Sequence, residues 1–299
     1  MKVCVVGGAG FIGHHIVKKF LSLGHQVLVI DDLSTGKLEN IPNNCEFIKS
    51  DVSEIDMETL VNYLEGVDLV YHTAAKARVQ PSIVDPISFN RANVDSTLRI
   101  LVASHRSKVK RVIYSASSSV YGDTNIFPTP ETANPNPMSP YGLQKFIGEQ
   151  YCKLFSEVYN LDTVSLRYFN VYGEGMLDEG AYCTVIGIFA NQYKQSKHLT
   201  ITNDGEQKRD FTYVGDVVEA NYLAGVYEES FNGDVFNVGN GDNYSINEIA
   251  DLFESEKVYN EQRLEPYITL ADNSKIKNKL GWIPKGNVIS WVKKYKKTL

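Results

Sequence analysis

The sequence predicts an α/β fold, with a doubly wound parallel sheet and a smaller α/β C-terminal lobe. Short β-branched runs alternate with amphipathic segments through the first half of the chain, and a glycine cluster follows the first run. Near-continuous apolar strands separated by helices are typical of a parallel sheet that is covered on both faces. The second half has loops rich in Gly, Asn and Asp, which is typical of a lobe that contacts substrate.

Six strands are predicted, each a short run of apolar and β-branched residues that ends at a turn. In chain order their sequences are KVCVVG, QVLVID, CEFIKSD, LVYHTAA, RVIYSAS and TVSLRYFN. Between most of these runs the apolar residues recur with helical spacing. This spacing predicts helices over 11–23, 57–64 and 93–104.

Composition and charge exclude several classes of function. The 299 residues are 43% apolar and 22% charged, so the chain can bury a large core. A net charge of -6 and a pI near 5.6 give no drive toward nucleic acid or an anionic membrane. No apolar run is long enough to span a bilayer, and glycines interrupt the N-terminal apolar run, which argues against a signal peptide. The four cysteines lack the spacing of a metal site or of a disulfide framework. We expect a cytoplasmic protein with no metal, no nucleic-acid partner and no membrane partner.

The first predicted strand leads into VVGGAGFIG, in which Gly7, Gly10 and Gly13 are three residues apart. Glycines at this spacing between a strand and a helix allow a tight turn, close approach to a pyrophosphate and close helix–strand packing. The next strand ends in Asp31 and Asp32, where an acid would bind an adenosine ribose and repel a 2′-phosphate. The pattern indicates a Rossmann-type domain that binds NAD. A glycine turn beside a solvated acid is the alternative.

The predicted domain boundaries follow the change from regular alternation to loop-rich sequence after TVSLRYFN. We predict an NAD-binding Rossmann domain over 1–168, to which 210–238 returns. The predicted substrate lobe is formed by 169–209 and 239–299.

A phenol and an ammonium group lie four residues apart in SPYGLQKFIGEQ, where Tyr141 and Lys145 follow Pro140 at the start of a predicted helix. Such a pair is common by chance, and taken alone it is most simply a surface feature. A predicted strand that ends in the serine cluster SASSSVYGD lies about twenty residues upstream. The combination favours a catalytic set.

The chain resembles the extended short-chain dehydrogenases/reductases, and among them the NAD-dependent nucleotide-sugar epimerase/dehydratase family. It is most similar to the UDP-glucose and UDP-N-acetylglucosamine 4-epimerases. The motifs that carry the resemblance run over nearly the whole length, in the order GGAGFIG, SDVS, HTAA, SASSSVYGD, SPYGLQK, RYFNVYG, RDFTYVGDVV and ADNSKIKNKLGW. An ordered set of this kind is more specific than any one of its members.

The resemblance implies that the cofactor is NAD. Asp31 and the STG segment would hold the adenosine ribose, Asp51 and Val52 would flank the adenine, and HTAA would lie beside the pyrophosphate and the nicotinamide ribose. Without the resemblance, the histidine of HTAA reads as a buried core residue. The implied NAD-binding residues are Gly7, Gly10, Phe11, Ile12, Gly13, Asp31, Asp32, Ser34, Thr35, Gly36, Asp51, Val52, His72, Ala74, Ala75, Asn93, Ser115, Tyr141, Lys145 and Tyr168.

The resemblance also implies a catalytic set of Ser117, Tyr141 and Lys145. A phenol is a poor base at neutral pH, but a cation one turn away and the positive nicotinamide of bound NAD both favour its phenolate form. Tyr141 would take the proton of a sugar 4-hydroxyl while the C4 hydride passes to NAD. Lys145 would also bind the nicotinamide ribose, and Ser117 would hydrogen-bond the reacting oxygen.

A UDP-sugar is the implied substrate. Asn170 and Arg209 would contact its diphosphate and Arg263 would approach it, because a guanidinium donates paired hydrogen bonds to phosphate. The segment RLEPYITLAD departs from the family pattern and is one residue shorter before Ala-Asp. A small residue at Thr269 leaves room for a 2-acetamido group, which favours UDP-GlcNAc/UDP-GalNAc, with UDP-Glc/UDP-Gal as a further pair. The implied substrate-binding residues are Ala77, Ser117, Ser118, Tyr141, Asn170, Thr184, Val185, Arg209, Arg263 and Thr269.

Two alternatives to a 4-epimerase stay open at this point. Related 4,6-dehydratases carry an Asp-Glu pair after the catalytic hydroxyl and related decarboxylases carry a Glu, whereas this chain has Ser118 and Ser119, which favours simple return of the hydride. A non-catalytic NAD-binding regulator is the second alternative, and the intact catalytic set argues against it. The resemblance further implies a homodimer, formed through a helical face after Tyr141.

Overall fold

The structure is a computed structural model that describes residues 1–178, 180, 183–261 and 263–299. Its strands are β1 Lys2–Val6, β2 Gln26–Asp31, β3 Glu46–Lys49, β4 Leu69–His72, β5 Arg111–Ser117, β6 Asp162–Tyr168, β7 Val171–Tyr172, β8 Leu199–Thr202, β9 Lys208–Asp210, β10 Thr212–Tyr213, β11 Asp234–Val238, β12 Asn243–Ser245 and β13 Lys257–Asn260. Its α-helices are α1 Phe11–Ser22, α2 Met57–Tyr63, α3 Val79–Val84, α4 Pro86–Asn90, α5 Ser96–Arg106, α6 Pro140–Tyr159, α7 Val185–Lys194, α8 Val214–Val226, α9 Ile246–Asp251, α10 Ser274–Leu280 and α11 Val288–Lys296. Within the described residues, no helix is both long and apolar enough to cross a membrane.

A seven-stranded parallel sheet in the order β11-β6-β5-β4-β1-β2-β3 forms the centre of the molecule. The six predicted strands are β1 to β6. The three predicted helices correspond to α1, α2 and a helix that begins as a π-turn over 91–95 and continues as α5. The predicted class, an α/β fold with a doubly wound parallel sheet, is therefore confirmed.

Each face of this sheet has its own apolar core, because successive side chains of a strand point to opposite faces. Val3 and Val5 pack on one face with Phe20 of α1. Cys4 and Val6 pack on the other face with residues of α2 and α5. Burial on both faces accounts for the continuous apolar sequence of β1.

The direction of the chain across the sheet reverses between β1 and β4. From β1 the chain moves outward to β2 and β3, whereas from β4 it moves the other way through β5 to β6. The loops that follow β1 and β4 therefore diverge, and they leave a crevice at the carboxyl edge of the sheet, where ligands of such sheets bind.

Short elements from the second half of the chain form a third apolar core, with Phe11 of α1 packed against it. In this region β8 pairs with β13 in parallel and β9 pairs with β12 antiparallel. β11 lies inside 210–238 and pairs with β6 in the central sheet. The division of the chain into lobes at the boundaries given above stays a prediction.

The start of α6 is fixed by its capping residues. The side chain of Ser139 accepts a hydrogen bond from the backbone N–H of Gly142 at 3.1 Å, and Pro140 occupies the first helical position. The helix ends at Tyr159, and the next residue, Asn160, has a left-handed conformation with φ 55°. Tyr141 and Lys145 therefore lie in the first two turns of α6, which packs against β5 and β6.

Candidate active site

Close backbone packing explains the glycines between β1 and α1. A Cβ on Gly7, whose φ is 84°, would lie 2.5 Å from the backbone nitrogen of Ala74. A Cβ on Gly13 would lie 2.1 Å from the carbonyl oxygen of Gly7. Gly10 is the N-cap of α1 and no side chain caps the helix there, so first-turn N–H groups are available to an anion. A pyrophosphate fits this turn.

Two acidic residues follow β2 at the predicted ribose site. The carboxylate of Asp31 accepts the backbone N–H groups of Ala9 at 2.9 Å and Leu33 at 2.8 Å. Burial raises the pKa of Asp31, and these two hydrogen bonds oppose the effect. The carboxylate of Asp32 accepts the N–H of Ser34 at 2.8 Å. The loop after β2 is thus held in shape by the acids that face the cavity.

One cavity of about 890 Å³ runs from the glycine turn to the second half of the chain. It joins the predicted cofactor residues to the predicted substrate residues in one continuous space. Predicted site residues that line it are Gly7, Gly10, Phe11, Ile12, Gly13, Asp31, Asp32, Ser34, Thr35, Asp51, Val52, Ala74, Ala75, Ala77, Ser117, Ser118, Tyr141, Tyr168, Asn170, Thr184, Val185, Arg209, Arg263 and Thr269.

Other predicted cofactor residues lie behind the cavity wall. The amide of Asn93 accepts the backbone N–H of Lys76 at 2.9 Å and donates to its carbonyl at 3.0 Å, which holds the loop after β4. The Nε2 atom of His72 lies 3.0 Å from Oγ1 of Thr97, and burial lowers the pKa of His72 to about 3, so the ring is neutral. Direct contact of these residues with NAD stays a prediction. The predicted residues outside the lining are Gly36, His72, Asn93, Ser115 and Lys145.

Tyr141 and Ser117 both line the cavity. Burial raises the pKa of Tyr141, while the Ser117 hydroxyl and the guanidinium of Arg78 lower it. Ser117 is the last residue of β5. Its Oγ accepts two hydrogen bonds from Ser119, one from the backbone N–H at 3.2 Å and one from the side-chain hydroxyl at 2.9 Å. These two bonds orient the Ser117 hydroxyl.

Lys145 is buried beside the strands that support Tyr141. Its Nζ donates a hydrogen bond to the carbonyl of Ser115 at 2.8 Å and lies 5.0 Å from the centre of the Tyr114 ring. Burial lowers the pKa of Lys145 to about 8, and the nearby carboxylate of Glu149 opposes this effect. The carboxylate of Glu149 is in turn held by Arg167 through bonds of 2.9 and 2.7 Å.

The far end of the cavity contains the predicted nucleotide-binding residues. Arg209 donates to the carboxylate of Glu265 at 2.7 Å, so its guanidinium is held at the wall. The amide of Asn170 donates to the carbonyl of Asp210 at 3.0 Å and to Oγ1 of Thr269 at 3.2 Å. The small Thr269 side chain thus takes part in holding the neighbouring amide.

Arg78 is a lining residue that sequence reasoning missed. It is the N-cap residue of α3, with φ 109° and ψ 140°, and it acts electrostatically on Tyr141. Sequence reasoning assigned the activation of Tyr141 to Lys145 and to NAD, and that assignment stays a prediction. In this structure the Arg78 guanidinium also lowers the pKa of the Tyr141 phenol. The available signal was a charged residue in the loop directly after β4, at the carboxyl edge of the sheet.

These features define a class of protein. The doubly wound sheet has a glycine turn after β1, an acid at the end of β2 and a Ser/Tyr/Lys set at its carboxyl edge. This combination is typical of enzymes that bind a dinucleotide and transfer a hydride. The chain belongs to the NAD-dependent epimerase/dehydratase family, whose model matches residues 3–239. The protein is therefore an enzyme that uses NAD.

Similar proteins cover nearly the whole chain. A putative UDP-glucose 4-epimerase of Methanocaldococcus jannaschii is 35% identical over 99% of this chain and 100% of its own length. The crystal structure of UDP-glucose 4-epimerase from Thermotoga maritima with UDP-glucose is 35% identical, with a TM-score of 0.94 over 99% of this chain and 98% of that one. The UDP-N-acetylglucosamine 4-epimerase of Methanobrevibacter ruminantium M1, in complex with UDP-N-acetylmuramic acid, is 36% identical, with a TM-score of 0.91 over 99% and 97%.

Proposed function

We propose that the protein catalyses the NAD-dependent epimerisation of a UDP-hexose at C4. UDP-GlcNAc/UDP-GalNAc and UDP-Glc/UDP-Gal are the candidate pairs. The observation that carries the proposal is that Tyr141 and Ser117 line one cavity together with the glycine turn and Arg209, and that the Ser117 hydroxyl lowers the pKa of the Tyr141 phenol. The two similar solved proteins, which bind UDP-glucose and a UDP-N-acetylated sugar acid, support a UDP-sugar as the ligand.

In the proposed mechanism, the residues of the chain bind, orient and move a proton. The glycine turn and Asp31 hold the pyrophosphate and the adenosine ribose of NAD, and the Lys145 ammonium binds the nicotinamide ribose. When bound, NAD supplies the acceptor and later the donor of the C4 hydride. Tyr141 takes the O4 proton, with Ser117 hydrogen-bonded to the reacting oxygen. The 4-keto sugar turns before it is reduced, and Tyr141 returns the proton to the inverted alcohol.

A sugar that turns in the site has to be held mainly by its nucleotide. Arg209 and Asn170 are assigned to the diphosphate, with Arg263 approaching from the same side, and each of them lines the cavity. The small Thr269 side chain next to Asn170 is consistent with space for a 2-acetamido group. The substrate preference that this space favours is UDP-GlcNAc/UDP-GalNAc.

Elimination or decarboxylation is a less suitable reaction for this site. A 4,6-dehydratase needs an acid close to the catalytic hydroxyl in order to protonate a departing hydroxyl group. Positions 118 and 119 are serines, and the Ser119 hydroxyl donates to Ser117 Oγ at 2.9 Å. That position therefore orients the catalytic serine and supplies no carboxylate.

Product analysis tests the proposed function. Purified protein is incubated separately with UDP-GlcNAc, UDP-Glc and UDP-glucuronate, and each product is followed by NMR. We expect C4 epimers with an unchanged molecular mass. A 4-keto-6-deoxy sugar or a pentose would assign the enzyme to the lyases instead. Tyr141→Phe should keep NAD bound and lose turnover, and full turnover in this variant would exclude Tyr141 as the base.

We also propose that the protein is a homodimer, formed through α6 and the neighbouring α3 and α4. Exposed apolar side chains on these helices include Val84, Ile87, Leu154 and Val158, with exposed fractions of 85%, 83%, 45% and 59%. Light scattering should give twice the chain mass. Val158→Glu should shift the protein toward the monomer, whereas the control Ile283→Glu, at an exposed site outside these helices, should leave a dimer. A wild-type monomer would contradict the proposal.

A further inference from the structure

Arg91 lies at the rim of the cavity, beside the loop that follows β3. Its side chain lines the cavity together with Asp51, Val52 and Ser53, and it is 51% exposed. Arg91 is also the first residue of the π-turn that leads into α5. It belongs neither to the catalytic set nor to the cofactor and substrate residues assigned above.

The order of the strands assigns this end of the cavity to the adenine of NAD. The glycine turn after β1 is assigned to the pyrophosphate and Asp31, at the end of β2, to the adenosine ribose. β3 is the next strand beyond β2 in the sheet. A base carried by that ribose therefore extends toward the loop after β3, where Val52 offers it an apolar contact.

The guanidinium of Arg91 is held along one edge by this loop. Its Nε donates a hydrogen bond to Oγ of Ser53 at 3.1 Å, and its Nη2 donates to the carboxylate of Glu54. The Ser53 hydroxyl donates in turn to the carboxylate of Asp51 at 2.8 Å, which fixes the acceptor. Because Nε and Nη2 lie on the same edge of the planar group, a ligand in the cavity meets a flat cationic face.

Other contacts already hold the shape of the loop. Arg99 of α5 donates from Nε to the carbonyl of Val52 at 2.9 Å and also donates to the carbonyl of Ile55. The carboxylate of Asp51 accepts the backbone N–H of Ser53 at 2.8 Å. An exposed ion pair such as that of Arg91 with Glu54 contributes little to stability. A role in folding therefore does not explain the position of Arg91.

The backbone at Arg91 is a second sign of a ligand site. Residues 91–95 form a π-turn at the start of a helix, and such turns are rare and frequently occur at functional sites. Asn93 in the same turn holds the backbone of Lys76 in the loop after β4. One turn thus contacts two loops that border the cavity, through Asn93 on one side and Arg91 on the other.

We propose that Arg91 is a further NAD-binding residue, whose guanidinium stacks on the adenine and slows the release of the cofactor. Arginine stacks on aromatic rings and nucleobases through its planar face, which a lysine lacks. Slow release suits an enzyme in which the same cofactor has to return the hydride that it accepted. The inference rests on the use of NAD, and it does not depend on which sugar reacts.

The rate of cofactor release tests the inference. Protein loaded with NAD that is radiolabelled in the adenine is mixed with excess unlabelled NAD, and the bound label is followed over time by rapid gel filtration. Arg91→Ala should raise the dissociation rate constant of NAD by about 5- to 30-fold. Arg91→Lys keeps the charge but not the planar face, so it should raise the rate constant nearly as much. An unchanged rate in Arg91→Ala, or a wild-type rate in Arg91→Lys, would overturn the inference.

Arg106→Ala is the matched control. Arg106 lies at the other end of α5 and donates to both carboxylate oxygens of Glu58 at 2.7 Å. This variant therefore removes the same charge and another exposed ion pair, but at a residue outside the cavity lining. Its NAD dissociation rate should stay within about twofold of wild type. Equal acceleration in Arg106→Ala and Arg91→Ala would contradict a local contact with adenine. The melting temperature of each variant establishes that it is folded.

The two halves of the cofactor locate the contact. ADP-ribose contains the adenine, whereas nicotinamide mononucleotide does not. In NAD-free protein, Arg91→Ala should raise the Kd for ADP-ribose, measured by calorimetry, by about 5- to 30-fold. The Kd for nicotinamide mononucleotide, measured by NMR titration, should not change. An equal rise for both ligands would refute stacking on adenine. Neither measurement needs a sugar, so a failure of the proposed epimerisation leaves this test unaffected.

Discussion

Replacement of Ser117 by alanine tests how the phenol of Tyr141 becomes basic. Burial raises the pKa of Tyr141, and the neighbouring Ser117 hydroxyl is the first of the effects that lower it. A hydrogen bond to a charged group contributes about 1.5–3 kcal/mol, which corresponds to about 10- to 150-fold in the phenol–phenolate equilibrium. The base acts as phenolate, so Ser117→Ala should lower kcat by about 10- to 150-fold at neutral pH.

The pH dependence of kcat separates this effect from a loss of geometry. Alanine raises the pKa of Tyr141, so the rise of kcat with pH should move to higher pH. The loss should then shrink in alkaline buffer, where the phenol ionises in both proteins. Ser117→Thr keeps a hydroxyl and should retain most of the activity, and bound NAD should be unchanged in both variants. An equal loss at every pH would refute the reasoning.

Three further predictions follow from buried groups of the site. Burial lowers the pKa of Lys145 from 10.5 to about 8, which corresponds to a penalty of about 3 kcal/mol for the buried ammonium group. Lys145→Met should therefore abolish turnover but raise the melting temperature of NAD-free protein at neutral pH. A lower melting temperature would contradict this. Gly13→Ala would place a Cβ 2.1 Å from the carbonyl oxygen of Gly7. The variant should therefore bind no NAD, and urea titrations should show that its free energy of unfolding is lower by about 1–3 kcal/mol. Normal NAD content would contradict the close approach of the two backbone segments. Burial lowers the pKa of His72 from its ordinary value of 6.5 to about 3 in the folded protein, so below pH 6.5 the unfolded chain binds a proton that the folded protein does not. This group should therefore lower the free energy of unfolding by about 1.5–2 kcal/mol between pH 6.5 and 5. Urea titrations of His72→Phe should show a smaller decrease over this range, and an unchanged decrease would contradict the assignment.

The central sheet could be predicted from local sequence. β1, β2, β4, β5 and β6 are largely apolar runs buried on both faces, and a run of that kind has few other stable environments. β11 has the sequence DVFNV, and only three of its five residues are apolar. Its place beside β6 depends on a long-range pairing that periodicity alone does not reveal.

Sequence motifs could predict some residues of the candidate site but not others, and the difference has a physical reason. Gly7, Gly13 and the Tyr141/Lys145 pair act through spacing along the chain, so a motif can identify them. Arg78 acts through the fold, because the loop after β4 brings its charge to a phenol on α6. No local pattern marks such a residue. Lobe boundaries, the individual roles of the site residues, the homodimer and the cytoplasmic location stay predictions.

The pairing of β11 with β6 has a consequence for synthesis on the ribosome. The edge of β6 that receives β11 stays open until residue 238 has left the exit tunnel, although every other strand of that sheet is complete by residue 168. A nascent or truncated chain that stops in between exposes a buried apolar strand with unpaired N–H and C=O groups, which can pair with other chains. Premature termination within this interval should therefore yield aggregates rather than a smaller folded enzyme.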